Sequence, residues 1–480
     1  MTLSEEPCDD TTSGGDGIDR KTDEETIAAI STAIGQAGIG IIRMSGPRAK
    51  EVALKLFRPR KPVEDLQSHR LYLGHLIDPS SGFEVDEVLL SFMKAPHSYT
   101  REDVVEINAH SGYVLLSKIL QIILTEGIRL AKPGEFTFRA FMNGRIDLTQ
   151  AEATVDLINS KSERGLVMAS RQIKGEFRMA VEGLRQKILD ILAHVEVAID
   201  FPEEESGILP REETASGIES DVMEPIRKIV AAYEQRKIWM DGIQTVITGR
   251  VNVGKSSLLN ALLREQRAIV TPIPGTTRDI VESTIHIQGI PFQLVDTAGF
   301  RKVKGVIEKK GIFLTEQKLE EADLTLIVID QSRPLNQDDL NIIARSQEKK
   351  CLIVVNKIDL TPRINLEAIK KDAGRFPVVR LSALTGEGID GLRTALGDLV
   401  MAGAVETDST HAAPNLRHKN ALMEASHFFR RAADNTRDDL PLDIVAVDLR
   451  SGLDVLGEII GQTTDEDVLD KIFSQFCLGK

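Results

Sequence analysis

Ile243-Gln244-Thr245-Val246-Ile247-Thr248 runs straight into Gly249-Arg250-Val251-Asn252-Val253-Gly254-Lys255-Ser256-Ser257 and then into Leu258-Leu259-Asn260-Ala261-Leu262. The first six residues are mostly β-branched or apolar, the pattern of a buried strand, and the last five carry helical apolar spacing. The glycines between them free the backbone to aim N–H groups at a phosphate held at the N-terminus of the following helix. Lys255 brings a cation to the β- and γ-phosphates, Ser256 offers a hydroxyl to Mg²⁺, and Asn252, Val253, Gly254 and Ser257 complete the cradle. Strand, glycine loop and helix in this order predict a P-loop within a parallel α/β sheet.

Further strand ends point to the same site. Phe292-Gln293-Leu294-Val295 leads into Asp296-Thr297-Ala298-Gly299, which supplies a carboxylate behind Mg²⁺ and a glycine N–H to the γ-phosphate. Leu352-Ile353-Val354-Val355 leads into Asn356-Lys357-Ile358-Asp359, where Asp359 accepts both the ring N–H and the exocyclic amine of guanine, a donor pair that adenine lacks. Ser382-Ala383-Leu384 follows Val378-Val379-Arg380-Leu381 and offers a backbone contact to the guanine oxygen. Gly275-Thr276-Thr277-Arg278-Asp279 puts Thr277 within a loop that can order around Mg²⁺ and the γ-phosphate. Five motifs in this order predict a Ras-like domain that binds and hydrolyses GTP, spanning about residues 241–403. Where such domains carry a water-positioning glutamine, this chain has Phe300, whose ring cannot orient water. The polar segment that follows, 301–310, contains one carboxylate, Glu308. It is either the replacement or a solvated charge.

The rest of the chain is longer than this domain needs. Its 480 residues suggest roughly three domains. Hydrophobic residues at 42% and charged residues at 28% exclude a fibre or a disordered chain, and aromatics at only 4% fit a helix-rich globular one. Cys8, Cys351 and Cys477 have neither disulfide nor zinc spacing, which suits a reducing compartment. With no apolar run of membrane-spanning length and an acidic N-terminus, the chain is expected to be cytoplasmic and without membrane association. A net charge of -14 argues against nonspecific coating of nucleic acid, which needs clustered cations.

Residues 1–25 hold nine Asp/Glu against two Lys/Arg, with almost nothing apolar, and read as a disordered acidic tail. Strand-like runs at Gly40-Ile41-Ile42-Arg43-Met44, Val88-Leu89-Leu90-Ser91-Phe92 and Val104-Val105-Glu106-Ile107 alternate with helical stretches, predicting an α/β domain over 26–144. Helical periodicity marks 145–240 and returns over 404–480, through Leu453, Leu456, Ile459 and Ile460 and then Leu469, Ile472, Phe473 and Phe476. Each flank has an apolar stripe that needs a partner. The economical arrangement is one helical domain with the nucleotide domain inserted in it.

From about Glu25 to Lys480 the chain resembles the MnmE (TrmE) family of tRNA-modification GTPases. The resemblance rests on Gly40-Ile41-Ile42-Arg43-Met44-Ser45-Gly46, Tyr99-Thr100-Arg101-Glu102-Asp103-Val104-Val105-Glu106, Pro133-Gly134-Glu135-Phe136-Thr137-Phe138-Arg139 and Asn143-Gly144-Arg145-Ile146-Asp147-Leu148. The Gly-Thr-Thr-Arg-Asp motif and the final Phe476-Cys477-Leu478-Gly479-Lys480 complete it.

The resemblance implies an N-terminal α/β domain that binds folate and dimerises, a central helical domain and the inserted GTPase. It implies a homodimer that joins the FAD-containing flavoprotein MnmG in a heterotetramer. That complex adds a carboxymethylaminomethyl or aminomethyl group to carbon 5 of the wobble uridine of certain tRNAs, with tRNA bound mainly by the complex. The one-carbon donor would be 5-formyltetrahydrofolate or 5,10-methylenetetrahydrofolate.

Carried over by position, Arg43, Glu106, Arg145 and Lys480 would contact the folate, and Ser256 with Thr277 would hold Mg²⁺. Asn252, Thr271, Ile273 and Thr276 would hold K⁺, in a loop with Pro272, Pro274 and Gly275 that lies over the nucleotide. Arg145 stands where a lysine is common, which keeps the charge and changes its geometry. Without the resemblance, Arg43, Glu106 and Arg145 are ordinary surface charges. Cys477 has two readings, a small core residue beside Phe473 and Phe476 or a thiol near the folate. Two rival functions stand beside the modification enzyme. One is a ribosome-assembly GTPase, which would carry a basic RNA-binding module where this chain has acidic helical flanks; the other is a scaffold that uses GTP only to rearrange partners.

Overall fold

The computed structural model describes residues 25–33, 35, 37–201, 210–264, 283–296, 320–346, 349–365, 374, 376–402 and 413–480. The acidic segment 1–24 lies outside them. The chain divides into two compact units, residues 1–155 with 460–480 and residues 156–459.

The first unit is built on seven strands: β1 (Ile27–Ile30), β2 (Ile39–Ser45), β3 (Phe57–Pro59), β4 (Arg70–Ile77), β5 (Glu84–Met93), β6 (Val104–His110) and β7 (Arg129–Leu130). They lie in the order β3-β4-β5-β6-β2-β1-β7, antiparallel except for the parallel β1–β7 edge. Period-two alternation decides which face is covered. In β5, Val88, Leu90 and Phe92 are buried, whereas Leu89 is 40% exposed. The buried face packs on α1 (Ala49–Leu56) and α2 (Tyr113–Thr125), whose Val52, Leu56, Leu116 and Ile119 meet Ile42, Met44 and Ile107. The other face carries the exposed Ile39, Leu71, Leu73 and Leu89.

Three further helices belong with this unit: α3 (Glu135–Met142), the start of α4 (Leu148–Asn159) and a helix late in the chain, α14 (Glu466–Phe473). The stripe Leu469, Ile472, Phe473 and Phe476 is covered by Phe138, Leu148 and Ala151. Phe473 meets Phe138 edge-on at 5.2 Å between ring centroids. This packing delivers residues 477–480 to the sheet.

The second unit combines helices with a six-stranded sheet of β8 (Ile243–Thr248), β9 (Ser283–Ile287), β10 (Ile290–Asp296), β11 (Leu324–Asp330), β12 (Lys350–Asn356) and β13 (Val378–Arg380). The order is β13-β12-β11-β8-β10-β9, parallel except for the β9–β10 hairpin. Uninterrupted apolar runs such as Leu324–Asp330, all seven residues buried, belong to strands covered on both faces. One face meets α9 (Lys255–Arg264) and α11 (Ile389–Met401) through Leu258, Leu262, Leu392 and Leu396. The other meets α10 (Gln337–Arg345) through Ile343.

Around this sheet in sequence stand α5 (Glu163–Ile173), α6 (Glu176–Asp200), α7 (Arg211–Gly217), a π-turn (Ile218–Met223) and α8 (Glu224–Met240), with α12 (Leu416–Arg437) and α13 (Leu442–Ile460) after it. Helices before and after the sheet pack on each other, whereas residues 145–155 and 460–480, expected with those flanks, fall in the first unit. Phe177 of α6 stacks on His418 of α12 at 4.6 Å, and Arg437 grips Glu219 with two bonds of 2.7 and 2.8 Å. Among the described residues no helix is long and apolar enough to cross a membrane.

Candidate functional sites for nucleotide and for an anionic ligand

The P-loop sits where the quoted sequence puts it, between the end of β8 and the start of α9. Gly254 has φ +100°, and a Cβ there would lie 2.2 Å from the Asn356 side-chain nitrogen, so the close approach of the P-loop to β12 requires glycine. Asn356, only 2% exposed, ties three segments together. Its Nδ2 donates to the Val253 carbonyl at 2.9 Å, and its Oδ1 accepts from the N–H of Lys357 at 2.8 Å and of Ala383 at 2.9 Å. Ser382, fully buried, donates to Asp359 Oδ1 at 2.5 Å and so orients a carboxylate that is otherwise exposed. Leu384 is 85% exposed at the tip of that loop.

Lys255 is buried and donates from Nζ to the carbonyls of Gly249 at 2.9 Å and Arg250 at 2.6 Å. A buried ammonium held by loop carbonyls, with Ser256 and Ser257 exposed on the first helical turn, fits a polyphosphate. Asn252 takes φ +66°, and its carbonyl accepts from Lys357 Nζ at 2.8 Å.

Sequence reasoning missed two charged anchors of this site. Asp330, at the end of β11 in register with Asn356, accepts from Lys357 Nζ at 2.6 Å. Burial pushes its carboxyl up, but the Lys357 ammonium and the Ser332 donors outweigh that and hold it below the usual range. Asp339, 1% exposed, accepts from Arg250 Nε at 2.8 Å and also caps α10, so it fastens the P-loop to that helix. An acid ending an otherwise apolar strand was the available signal for Asp330. Of Asp296 only the backbone, at the end of β10, is described. Thr271, Pro272, Ile273, Pro274, Gly275, Thr276, Thr277, Thr297, Ala298, Gly299, Phe300 and Glu308 lie outside the described residues.

The first unit gathers a second set. Arg43 on β2 and Glu106 on β6 are directly opposite in register on the face left free by α1 and α2. They pair through Nε at 2.8 Å and Nη2 at 2.7 Å. The next row along the same face is Leu73, Leu89, Asn108 and Ile41. Arg43 Nη1 also donates to the Gly479 carbonyl at 3.3 Å, and Ser31 Oγ donates to the same oxygen at 3.0 Å. Gly479 has φ +89°, and a Cβ would lie 2.4 Å from the Ile30 carbonyl oxygen, so only glycine lets the chain lie this close to β1.

Beside it, Lys480 has its ammonium pushed down by burial and by the Arg43 charge, with Cys477 opposing. Tyr99 stands between the two arginines, its ring 5.5 Å from the Arg43 guanidinium and 4.8 Å from that of Arg145. Its hydroxyl bonds Thr137 at 2.9 Å and its carbonyl accepts from Arg145 Nη1 at 3.0 Å. Arg43, paired with Glu106, thus has Arg145 across the Tyr99 ring and the Lys480 ammonium close enough to feel its charge, an excess of positive charge that fits an anionic ligand. Cys477 is exposed, and the core role weighed for it is filled by Phe473 and Phe476. Tyr99, Ser31 and Gly479 were not foreseen as site residues, although Tyr99 opens one of the stretches that carry the resemblance.

A family model described as the N-terminus of the GTP-binding protein TrmE matches residues 26–145, and one described as the MnmE helical domain matches 148–477. The chain is 46% identical to the tRNA modification GTPase MnmE of Geobacillus kaustophilus over 465 residues, covering 96% of this chain and all of that one. It is 46% identical over 460 residues to the protein of the same name from Carboxydothermus hydrogenoformans, covering 95% and 100%. Against that of Bacillus subtilis it is 44% identical over 464 residues, again covering 95% and 100%.

Proposed function

The chain belongs to the MnmE family of tRNA modification GTPases, and from that premise we propose a folate-dependent role in building a carboxymethylaminomethyl or aminomethyl group on carbon 5 of the wobble uridine. The observation that carries the proposal is the Arg43–Glu106 pair with Arg145 across the Tyr99 ring from Arg43 and the Lys480 ammonium beside the Arg43 charge. A tetrahydrofolate has a pterin whose N–H groups suit a carboxylate and a glutamate tail whose carboxylates suit cations. Glu106 accepts from the pterin; Arg43, Arg145 and Lys480 answer the carbonyl and acidic parts. When bound, a 5-formyl or 5,10-methylene folate supplies the one-carbon unit. The chain's own part is to hold it beside the exposed Cys477 and to keep Lys480 desolvated.

In the nucleotide site, GTP binding transfers Lys255 Nζ from the Gly249 and Arg250 carbonyls to the phosphates, while Asn356 and Ser382 keep Asp359 and Ala383 set for guanine. Mg²⁺ at Ser256 and Thr277 and K⁺ at Asn252, Thr271, Ile273 and Thr276 would supply positive charge to the phosphates. Glu308 would orient the attacking water. The domains we assign are an N-terminal folate-binding and dimerisation domain over 26–144, a helical domain over 145–240 and 404–480, and the GTPase over 241–403. The exposed face with Ile39, Leu71, Leu73 and Leu89 supports homodimer formation there. The FAD-containing MnmG flavoprotein is the partner we assign, with tRNA held mainly by the joint complex in the cytoplasm.

The test is a binding measurement on purified protein. Titration with 5-formyltetrahydrofolate should give saturable binding that Glu106→Ala weakens by tenfold or more, about the worth of a charge-assisted hydrogen bond. GTP affinity should not change. A variant that binds folate as well as the parent would overturn the assignment.

A further inference from the structure

Two turns of the first unit are zipped together next to the proposed folate site. Arg101 Nη1 donates to the Asn143 carbonyl at 2.8 Å, Asn143 Nδ2 donates to the Thr100 carbonyl at 2.7 Å, and Arg145 Nη1 donates to the Tyr99 carbonyl at 3.0 Å. Both arginines are exposed, and neither guanidinium forms an ion pair among the described residues. The acids adjoining Arg101 in sequence are engaged elsewhere, Glu102 with Arg139 and Ser45 and Asp103 with the N–H of Ala95. Each guanidinium therefore keeps donors free beyond its one backbone carbonyl, since a guanidinium has five.

Arg101 also takes φ +63°, the left-handed region that favours glycine and is strained for a long side chain. A glycine would relieve the backbone at the loss of one exposed hydrogen bond, that to the Asn143 carbonyl, because the rest of the side chain is in solvent. Retaining arginine there leaves its charge as the gain.

We propose that Arg101 and Arg145 form a docking site for the γ-linked glutamate chain of a polyglutamylated folate, so that the protein selects the long-tailed coenzyme over the monoglutamate. The inference rests on the folate reading of the neighbouring site and adds to it the form of folate that is used. Tail carboxylates in sequence along an extended chain suit two arginine forks on adjacent turns, since arginine matches a carboxylate with two parallel bonds. Exposed pairs are weak, about threefold to fivefold in affinity each, and are screened by salt. Two of them give roughly tenfold.

The experiment measures affinities of full-length protein for 5-formyltetrahydrofolate as monoglutamate and as pentaglutamate, at low and high salt, with thermal unfolding and GTP turnover as folding controls. The expected result is about tenfold tighter binding of the pentaglutamate at low salt, shrinking at high salt. Arg101→Gly should cut that preference to about threefold to fivefold, the worth of the Arg145 pair alone, leave monoglutamate affinity unchanged and unfold at about the same temperature. Arg101→Lys should keep part of the preference. Equal affinities for the two forms in the parent protein would overturn the inference and leave the folate reading standing. So would an Arg101→Gly protein that loses both forms alike, because Arg101 then only braces Arg145. Failure of both forms to bind would overturn the folate reading and this inference with it.

Discussion

Glu135 is fully buried at the start of α3 and accepts from Arg129 at 3.0 and 2.5 Å, from Arg139 at 3.0 Å and from the N–H of Lys132 at 2.8 Å. Burial pushes its carboxyl up, and the Arg129 bonds, the Lys132 N–H and the Arg139 charge together outweigh burial and hold it below the usual range. A carboxyl depressed on folding contributes stability above its unfolded pKa, and that stability is lost as pH falls through the folded value. Glu135→Gln, which leaves the buried Arg139 with only Glu102 to answer its charge, should therefore cost about 2 to 3 kcal/mol near pH 7. The gap from the parent should close in acid, as urea unfolding near pH 7 and near pH 3 would reveal; a gap that does not narrow would exclude the ion pair as its source. Glu135 and Arg139 both stand in stretches quoted for the family resemblance, yet nothing in the sequence marks them as partners. Their spacing of four on a helix was readable. That both would be buried depended on partners from elsewhere in the chain, Arg129 for Glu135 and the Glu25 carbonyl and Glu102 for Arg139.

At the scale of the element, strand–loop–helix at the P-loop was legible because its change of period and its glycine spacing are local features of the sequence, and apolar continuity over residues 352–355 marked β12 as a strand. The destination of α14 was not. Its stripe of Leu469, Ile472, Phe473 and Phe476 states that a partner exists and says nothing about which of several apolar surfaces it is. Phe138 and Leu148 answer it. Phe473, fully buried with three aromatic neighbours, should make Phe473→Ala cost about 3 to 5 kcal/mol in the first unit. Because α14 leads into Gly479 and Lys480, the variant should also lose folate affinity while GTP affinity stays the same. Calorimetry and the two binding titrations would check this, and intact folate binding would mean that residues 477–480 reach Arg43 without the helix.

For the whole molecule, the open question is how the GTPase domain hydrolyses its substrate with Phe300 in place of the usual glutamine. The transition state also needs positive charge near the β–γ bridge, which other GTPases supply with an arginine worth about 10³ to 10⁵ in rate. On the proposed K⁺ reading, Asn252 with Thr271, Ile273 and Thr276 would supply an oxygen shell suited to a large monovalent cation, and Na⁺ would be too small for it. Turnover should then be well over tenfold faster in K⁺ than in Na⁺. Glu308→Ala should abolish hydrolysis and leave GTP binding intact. Equal rates in the two salts, or an active Glu308→Ala protein, would refute this account of the charge or the water respectively. Pairing of two nucleotide domains over the same loop follows from the K⁺ reading.

The carbonyl of Gly479 has a meaning for the life of the chain before it is finished. Its donors, Ser31 and Arg43, precede it by 448 and 436 residues. At the usual pace of about 5 to 20 residues per second, β1 and β2 leave the ribosome on the order of half a minute before the segment that completes their ligand site. A nascent polypeptide therefore presents Arg43 and Glu106 without Lys480, and on the folate reading the proposed site stays incomplete until Lys480 has been made. On that reading, translation itself sets the moment at which the proposed coenzyme can begin to bind.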